Sequence, residues 1–198
     1  MELDRVREEW DEKADTFDTE PDHGMLDIAA RGAWWRTLEP LLPPAPCRIA
    51  DLGCGTGTVS VLFSEHGHDV TGLDISPQMI DRARIKARSA GLTIRFDIGN
   101  AAEPALDAGS FDVVFARHVV WALPDPKAAL RRWANLLAPH GRFVFVEGRW
   151  DTGAGLTADS LRALVEPLMR DVEVLQLTDP VLWGRQIYDE RYALLGLA

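Results

Sequence analysis

The sequence predicts an α/β protein with a doubly wound, mostly parallel sheet that helices cover on both faces. Three observations support this fold class. Helical and strand patterns alternate along the 198 residues, and the strand segments are almost continuously apolar. A glycine-rich loop also joins the first strand to the helix that follows it. Strands that are apolar on both faces are typical of parallel sheets, because the crossover helices cover both sides.

The first 45 residues are predicted to form a helical segment ahead of the sheet. An acidic, weakly amphipathic stretch covers about residues 3–17, and the turn Pro21–Gly24 interrupts it. A second helix is predicted from about 25 to 42, where a proline-rich stretch ends it. We expect residues 1–45 to form a lid and residues 46–198 to form the ligand-binding part of one domain.

The remaining elements follow from apolar runs and from helix caps. Ser76 is the predicted N-cap of a helix with Pro77 at its first position, and Gly91 follows its end. The predicted helices are about 58–65, 77–90, 126–137 and 157–170, and the predicted strands are about 48–52, 70–74, 93–97, 112–117, 142–147, 172–177 and 191–197.

The glycine-rich loop is the most informative segment. Gly53, Gly55 and Gly57 occupy every second position after the first strand, and the second strand ends at Asp74, 21 residues after Gly53. In a βαβ unit that binds an adenosine ligand, glycines let the backbone approach the ligand, and an acid accepts hydrogen bonds from the ribose hydroxyls. The spacing therefore predicts cofactor contacts from these four residues.

The details of the loop distinguish between cofactor classes. A dinucleotide fingerprint needs glycine or alanine where Thr58 or Ser60 stands, and no Walker lysine follows the loop. Asp51, ahead of the first glycine, would be unfavourable beside a pyrophosphate. It suits a ligand that carries an ammonium or a sulfonium group.

The segment from Arg48 to Gly148 resembles the class I S-adenosylmethionine-dependent methyltransferases. The loop matches their first motif, Asp-x-Gly-x-Gly-x-Gly, and four further elements follow in order. The resemblance implies a Rossmann-like sheet of seven strands with an antiparallel last strand. It also implies S-adenosyl-L-methionine as the cofactor and S-adenosyl-L-homocysteine as the product. The further cofactor contacts that it implies are Asp51, Cys54, Ile75, Met79, Asn100, Ala101 and Arg117.

Asn100 departs from the family pattern. The segment Gly99-Asn100-Ala101 resembles the family's Gly-Asp-Ala, in which the acid receives the adenine amino group. An asparagine can still accept through its amide oxygen, and the N–H of Ala101 would then face the adenine ring. The alternative is an ordinary turn asparagine, and the nearby Asp97 could compensate for the change.

The catalytic candidates are two histidines. His118 follows the fourth strand, where relatives that methylate DNA bases or amide nitrogens carry a Pro-Pro tetrad and this chain has Arg117-His118-Val119-Val120. The ordinary pKa of histidine suits proton removal near neutrality. The alternative is that His118 holds the cofactor or packs the strand end. His23 is the second candidate, with a role in the lid as its alternative.

Tryptophans are the candidates for contacts with the methyl acceptor. Trp35, Trp121 and Trp150 lie in segments that are predicted to border the substrate mouth, and aromatic walls suit a flat or apolar acceptor. The alternative is packing in the core. Glu147 ends the fifth strand and is predicted either to orient the acceptor or the lid, or to cap a neighbouring segment. No metal site is predicted, since no cluster of acids follows the fourth strand.

Composition restricts the partners and the compartment. The formal net charge of −10 argues against a nucleic-acid substrate, because lysine and arginine supply most of that affinity. No segment approaches membrane-spanning length. The two cysteines, Cys47 and Cys54, are too close in sequence to staple a fold, which favours a cytoplasmic location. We expect a small-molecule acceptor, no nucleic-acid or membrane partner, and a monomer or a homodimer.

Three hypotheses about function follow. The leading one is an enzyme that moves a methyl group from the sulfonium of S-adenosylmethionine to an O, N, S or C nucleophile of a small molecule, by in-line displacement. The second is a sensor that binds the cofactor without catalysis. The third is a nicotinamide-dependent oxidoreductase, which the loop residue Thr58 and the lack of a Tyr-x-x-x-Lys pair disfavour.

Overall fold

The computed structural model of the protein describes residues 2–198. Its centre is one sheet, whose strands follow the apolar runs of the sequence. Within the described residues the strands are β1 (Arg48–Leu52), β2 (Asp69–Asp74), β3 (Arg95–Ile98), β4 (Phe111–Arg117), β5 (Leu137–Arg149), β6 (Asp171–Gln176) and β7 (Glu190–Leu197).

The strands form a seven-stranded sheet in the order β3-β2-β1-β4-β5-β7-β6. Neighbours from β3 to β5 pair in parallel, whereas β7 pairs antiparallel with both β5 and β6. The predicted doubly wound, mostly parallel sheet with an antiparallel last strand is therefore confirmed. The strand order reverses between β1 and β4, and ligands of doubly wound sheets bind beyond the carboxyl ends of the strands at such a point.

Eight α-helices lie in the described part of the chain, and side-chain caps mark several of their starts. The Ser76 hydroxyl accepts a hydrogen bond from the N–H of Met79, as its predicted N-cap role requires. Asp27 caps the third helix through the N–H of Ala29. The helices are α1 (Glu2–Lys13), α2 (Pro21–Gly24), α3 (Ile28–Leu38), α4 (Thr58–Glu65), α5 (Pro77–Ser89), α6 (Pro126–Leu136), α7 (Ala158–Val165) and α8 (Pro180–Trp183).

The N-terminal helices differ from their predicted bounds. The stretch predicted as one helix over 3–17 ends at Lys13, and a short 3₁₀ turn, Phe17–Thr19, precedes α2. The helix predicted from residue 25 begins only at Ile28 because the preceding Asp27 is its cap. Helix α8 was not among the predicted elements. Among residues 2–198, no helix combines the length and the apolar character needed to cross a bilayer.

Alternate residues of the central strands pack into two cores, one on each face of the sheet. Phe143 and Phe145 face Trp133 of α6, whereas Val144 and Val146 face Trp34 of α3. Both indoles are fully buried. The indole N–H of Trp133 donates to the carbonyl oxygen of Ala101, and that of Trp34 donates to the carbonyl oxygen of Leu182. The two cores hold the sheet rigid, so the loops at its carboxyl edge project from a fixed base.

A third, smaller cluster fixes the glycine-rich loop against α5. Gly57 has φ +73°, and a Cβ atom there would lie 2.7 Å from the Cβ of Ala83 and 3.0 Å from the ring of Phe96. Its N–H donates to the carbonyl oxygen of Cys54. Gly57 therefore serves the packing of the loop on α5.

We expect Gly57→Ala to destabilise the fold much more than Gly91→Ala. Both glycines have φ above +70°, where alanine costs about 1–2 kcal/mol. A Cβ atom at Gly91 meets nothing within 4 Å, whereas at Gly57 overpacking adds about 1–3 kcal/mol. Urea unfolding of both variants measures the difference, and equal losses in the free energy of unfolding would contradict the packing role of Gly57.

Candidate active site

A cavity of about 470 Å³ lies at the carboxyl ends of the parallel strands, beneath the N-terminal helices. This volume is within the range of small-molecule sites. Residues of α1 and α2 cover it from the outside. The predicted site residues that line it are Gly53, Gly55, Asp74, Ile75, Met79, Asn100, Ala101, Arg117, His118, His23, Trp121 and Trp150.

Gly53 and Gly55 keep one wall of the cavity open. Both have positive φ, +73° and +54°. A Cβ atom at Gly53 would lie 2.4 Å from a methyl carbon of Val119, and one at Gly55 would lie 3.4 Å from the ring of Phe17. The N–H groups of Gly53 and Cys54 donate to the carbonyl oxygen of Leu73, which ties the loop to β2. Larger side chains at these positions would fill the cavity.

Asp74 is a buried carboxylate at the end of β2. One oxygen accepts from the N–H of Gly55 at 2.8 Å, and the other accepts from the N–H of Ser76 at 2.9 Å. Burial raises the pKa of Asp74, and these backbone hydrogen bonds oppose the rise. Each oxygen retains accepting capacity, so Asp74 can receive hydroxyl donors from the cavity.

Asn100 already has a hydrogen-bond partner in the turn that follows β3. Its side-chain oxygen accepts from the N–H of Ala102 at 2.9 Å. That bond is the one expected of a turn asparagine, and the second lone pair of the oxygen leaves room for a ligand donor. Asp97, the suggested substitute, forms an ion pair with Arg95 at 2.7 Å and is not a lining residue of the cavity.

Asp51 and Cys54 lie beneath the loop, beside a small side pocket that they share with Arg117. The Asp51 carboxylate accepts a hydrogen bond from Ser60 at 2.5 Å. Burial raises the pKa of Asp51 to about 6, although Ser60 and Arg117 act in the opposite direction. Burial also raises the pKa of the Cys54 thiol well above its ordinary value. Neither residue lines the main cavity, and their predicted cofactor contacts stay predictions.

Arg117 connects the end of β4 to the lid. Its guanidinium donates to the backbone oxygen of Asp22 at 2.5 Å and lies over the ring of Trp34 at 5.3 Å. Burial lowers the pKa of Arg117, and the carboxylates of Asp22, Asp51 and Asp18 oppose this. The cation is thus balanced by acids from both the sheet and the lid.

His118 occupies an unusual backbone position just after β4. Its φ is +59°, and its carbonyl oxygen accepts from the indole N–H of Trp121 at 2.9 Å. Burial lowers the pKa of His118 well below its ordinary value, and the cation of Arg117 adds to this effect. Both effects favour the neutral form of the imidazole. Its Nε2 atom is buried and has no hydrogen-bond partner among the described residues.

His23 lies on α2, on the lid side of the same cavity. Its ring stacks on Phe17 with centroids 4.2 Å apart and lies 6.3 Å from the ring of His118. Burial lowers the pKa of His23, whereas the neighbouring carboxylate of Asp22 raises it. The structure thus brings together two histidines that are 95 positions apart in the sequence.

Trp121 and Trp150 form an aromatic corner of the cavity, with ring centroids 5.4 Å apart. Trp35, the third predicted acceptor contact, lies elsewhere. Its ring stacks on the ring of His66, with centroids 3.6 Å apart, and packs against the hydrophobic core that contains Trp34. The prediction failed because the sequence does not show which side of α3 faces the cavity.

Comparison with known proteins identifies the family. Residues 50–145 match the family profile described as a methyltransferase domain. This part of the chain is therefore similar to a methyltransferase domain. The recognition of this family and of its cofactor, S-adenosyl-L-methionine, is thereby confirmed.

Curated relatives match this methyltransferase domain over about half of the chain. A ubiquinone biosynthesis O-methyltransferase from Xanthomonas axonopodis pv. citri is 34% identical over 51% of this chain and 43% of its own length. Nocamycin O-methyltransferase from Saccharothrix syringae is 39% identical over 54% of this chain and 40% of its own length. A demethylmenaquinone methyltransferase from Thermus thermophilus is 36% identical over 62% of this chain and 57% of its own length. The matched region thus spans roughly half of these relatives.

Solved structures share the fold at low sequence identity. An S-adenosylmethionine-dependent methyltransferase from Mesorhizobium loti has a TM-score of 0.68 at 21% identity, covering 84% of this chain and 98% of that one. The [4+2]-cyclase SpnF has a TM-score of 0.72 at 18% identity, covering 83% and 80%. Because a cyclase shares the fold, the fold by itself does not specify the reaction.

Several residues of the methyltransferase cavity were not predicted. Trp10 and Phe17 cover it from the N-terminal segment, and Arg185 and Arg191 reach it from the chain before and within β7. The Arg191 guanidinium lies over Trp150 at 5.4 Å and pairs with Asp189 at 2.8 Å. These residues lack a local sequence signal, since only the folded chain brings them to the carboxyl edge of the sheet.

Glu147 orients the loop that carries His118. One of its carboxyl oxygens accepts from the N–H groups of Val119 and Val120, at 2.9 and 2.7 Å. The other oxygen is buried without a partner among the described residues. Burial raises the pKa of Glu147 to about 8, although the backbone hydrogen bonds oppose the rise. The residue acts on the site through the backbone of this loop.

We expect Asp74→Ala to weaken binding of S-adenosylmethionine by about 1.5–3 kcal/mol, the scale of hydrogen bonds to a charged group. The matched control is Asp97→Ala, which removes the acid at the end of the neighbouring strand, outside the cavity. Isothermal titration calorimetry measures both affinities. Unchanged affinity in Asp74→Ala, or an equal loss in the control, would remove Asp74 from the cofactor site.

We expect Glu147 to make the protein less stable as the pH rises from about 5 to 8. The folded state keeps a proton on Glu147 that the unfolded state releases near the ordinary pKa of glutamate. The contribution of Glu147 to the free energy of unfolding is therefore fully present below that ordinary pKa and is lost as the pH rises to about 8. The loss is on the order of 3–5 kcal/mol at about 1.4 kcal/mol per pKa unit.

Urea unfolding at several pH values tests this linkage. Relative to the wild type, Glu147→Gln gains stability as the pH rises, whereas Glu173→Gln, which changes an exposed glutamate on β6, gives a curve parallel to that of the wild type. A parallel curve for Glu147→Gln would contradict the assignment.

Proposed function

We propose that the protein transfers the methyl group of S-adenosylmethionine to a hydroxyl oxygen of a small, largely apolar molecule. The observation that carries this proposal is the buried Nε2 atom of His118, which has no hydrogen-bond partner among the described residues and whose ring lies beside Trp150 in the cavity. The names of two O-methyltransferases among the relatives support an oxygen nucleophile.

The cofactor half of the cavity fits an adenosine ligand with a sulfonium. Gly53 and Gly55 leave room for a ligand against the backbone, and the Asp74 carboxylate receives the ribose hydroxyls. Asn100 and Ala101 also line the cavity, where we expect them to contact the adenine ring. When bound, the cofactor supplies an activated methyl group, so the protein contributes mainly alignment, exclusion of water and proton removal.

The acceptor half is mostly apolar. Leu3, Val6 and Trp10 of α1 face the cavity opposite Trp121 and Trp150. An aromatic or hydrocarbon acceptor buries its apolar surface against these side chains, which gain about 25 cal/mol per Å² of area removed from water. The same contacts exclude water from the methyl-transfer path.

His118 removes the proton of the acceptor hydroxyl. Because burial and the neighbouring Arg117 keep the imidazole neutral, Nε2 has a lone pair available at pH 7. The guanidinium groups of Arg117 and Arg191 also stabilise the negative charge that develops on the oxygen. Glu147 holds the loop that presents His118 through the N–H groups of Val119 and Val120.

The test uses S-adenosylmethionine with an isotopically labelled methyl group, incubated with the protein and a pooled extract of small metabolites. We expect a labelled methyl ether, found by mass spectrometry. No labelled product from protein that binds the cofactor would contradict the proposal and favour a non-catalytic sensor. A labelled amine or thioether would place the methyl group on a different nucleophile and overturn the choice of oxygen.

We expect His118→Asn to lower the rate of transfer by about 10²–10⁴-fold while cofactor binding is retained. Asparagine is the suitable replacement because it tolerates a positive φ. His140→Asn is the matched control, since His140 also has a positive φ, +64°, and lies outside the cavity. A parallel loss of cofactor affinity in His118→Asn would move His118 to the cofactor-binding residues.

A further inference from the structure

The lid and the end of β4 bring together three potential metal ligands. One donor atom from each of Asp22, His23 and His118 lies within 4.8 Å of the others. Within residues 2–198, this is the one group of three or more such side chains that could hold an ion. The sequence predicted no metal site, because two of the three residues lie in the N-terminal lid, far from the fourth strand.

Both imidazoles have a buried nitrogen that lacks a partner. His23 Nδ1 and His118 Nε2 form no hydrogen bond with any described residue. Buried polar atoms in folded proteins are almost always paired with protein atoms, ordered water or an ion. Two such nitrogens in a group that also includes the Asp22 carboxylate indicate that something outside the chain completes the group.

The placement of the three side chains is constrained. The guanidinium of Arg117 donates to the backbone oxygen of Asp22, which fastens α2 to the strand end. The ring of His23 stacks on Phe17, and the ring of His118 lies edge-on to Trp150 at 5.2 Å. Donor atoms bound to one tetrahedral ion at about 2.0–2.1 Å lie about 3.4 Å apart, so ion binding must draw the three side chains together from separations of up to 4.8 Å.

Acids lie beside the cations that surround the three candidate ligands. Arg117 is flanked by the carboxylate of Asp51, and Arg191 pairs with Asp189 at 2.8 Å. Lys86 pairs with Asp18, also at 2.8 Å. Arg191 and Lys86 therefore each have an acid of their own, whereas Arg117 shares the Asp22 carboxylate with the candidate site. The cavity-lining Glu20 is an additional negative charge.

We propose that Asp22, His23 and His118 bind a divalent transition-metal ion at the mouth of the cavity. Two imidazoles and one carboxylate suit Zn²⁺, Co²⁺ or Fe²⁺, whereas Mg²⁺ and Ca²⁺ prefer oxygen ligands alone. Three protein ligands leave open positions on the ion that face the cavity. The donor set needs neither cofactor nor acceptor. Because one nitrogen of His118 cannot hold the ion and accept the hydroxyl proton at the same time, the metal-bound protein is a separate state from the one proposed to transfer a methyl group.

The first experiment titrates ZnCl₂ into the metal-free, full-length protein by calorimetry, without cofactor or acceptor. We expect one ion per chain. We expect Asp22→Asn, His23→Ala and His118→Asn each to weaken zinc affinity by more than roughly 100-fold, because the loss of a residue that only hydrogen-bonds to a metal ligand costs roughly 10–100-fold. Two controls are expected to bind like the wild type. His140→Asn changes a histidine outside the cavity, and His68→Ala changes the imidazole that contacts the Cys47 thiol at 3.0 Å.

Nuclear magnetic resonance of the wild type keeps the proposal testable if a variant fails to fold. We expect ZnCl₂ to shift the ring signals of His23 and His118 and to leave those of His66 and His140 unchanged. No stoichiometric binding, binding that survives His23→Ala and His118→Asn, or binding lost in His68→Ala would each overturn the site. Because no methyl transfer is measured here, these outcomes are separate from those that would contradict the proposed function.

Discussion

The enclosed guanidinium of Arg117 is the interaction on which the cavity depends. A cation removed from water needs opposite charge and hydrogen-bond acceptors close by. The sheet supplies the carboxylate of Asp51, while the lid supplies the backbone oxygen and the carboxylate of Asp22. The strand end and the N-terminal segment are therefore stabilised together, and Arg117 links the wall that holds His118 to the lid that holds His23.

Further contacts fasten the lid at the other end of the cavity. The Asp18 carboxylate accepts a hydrogen bond from Thr56 of the glycine-rich loop at 2.5 Å and pairs with Lys86 of α5. Asp11 of α1 accepts from the hydroxyl of Ser76, the N-cap of α5. Thr56 and Ser76 are buried, so these contacts fasten the lid within the structure rather than at its surface.

The parts of the site that sequence reasoning recovers are those that one short segment determines. The alternating glycines and Asp74 lie on adjacent strands of one βαβ unit, so spacing along the chain is enough to place them together. Whether Trp35 faces the cavity or the core depends on the packing of α3, and the sequence pattern leaves both open. Arg191 and the pair His23–His118 come together through contacts between distant segments, for which the sequence has no periodic signal.

The two halves of the cavity differ in how specific they are to this chain. The cofactor half consists of backbone, glycines and one acid, and it can recur wherever this fold recurs. The acceptor half is built from side chains of the N-terminal segment, the loop after β4, Trp150 and the region of Arg185 and Arg191. Since a [4+2]-cyclase shares the fold, the chemistry is decided in this second half. There, two imidazoles and one carboxylate face an apolar wall, and the nature of the nucleophile depends on what completes them.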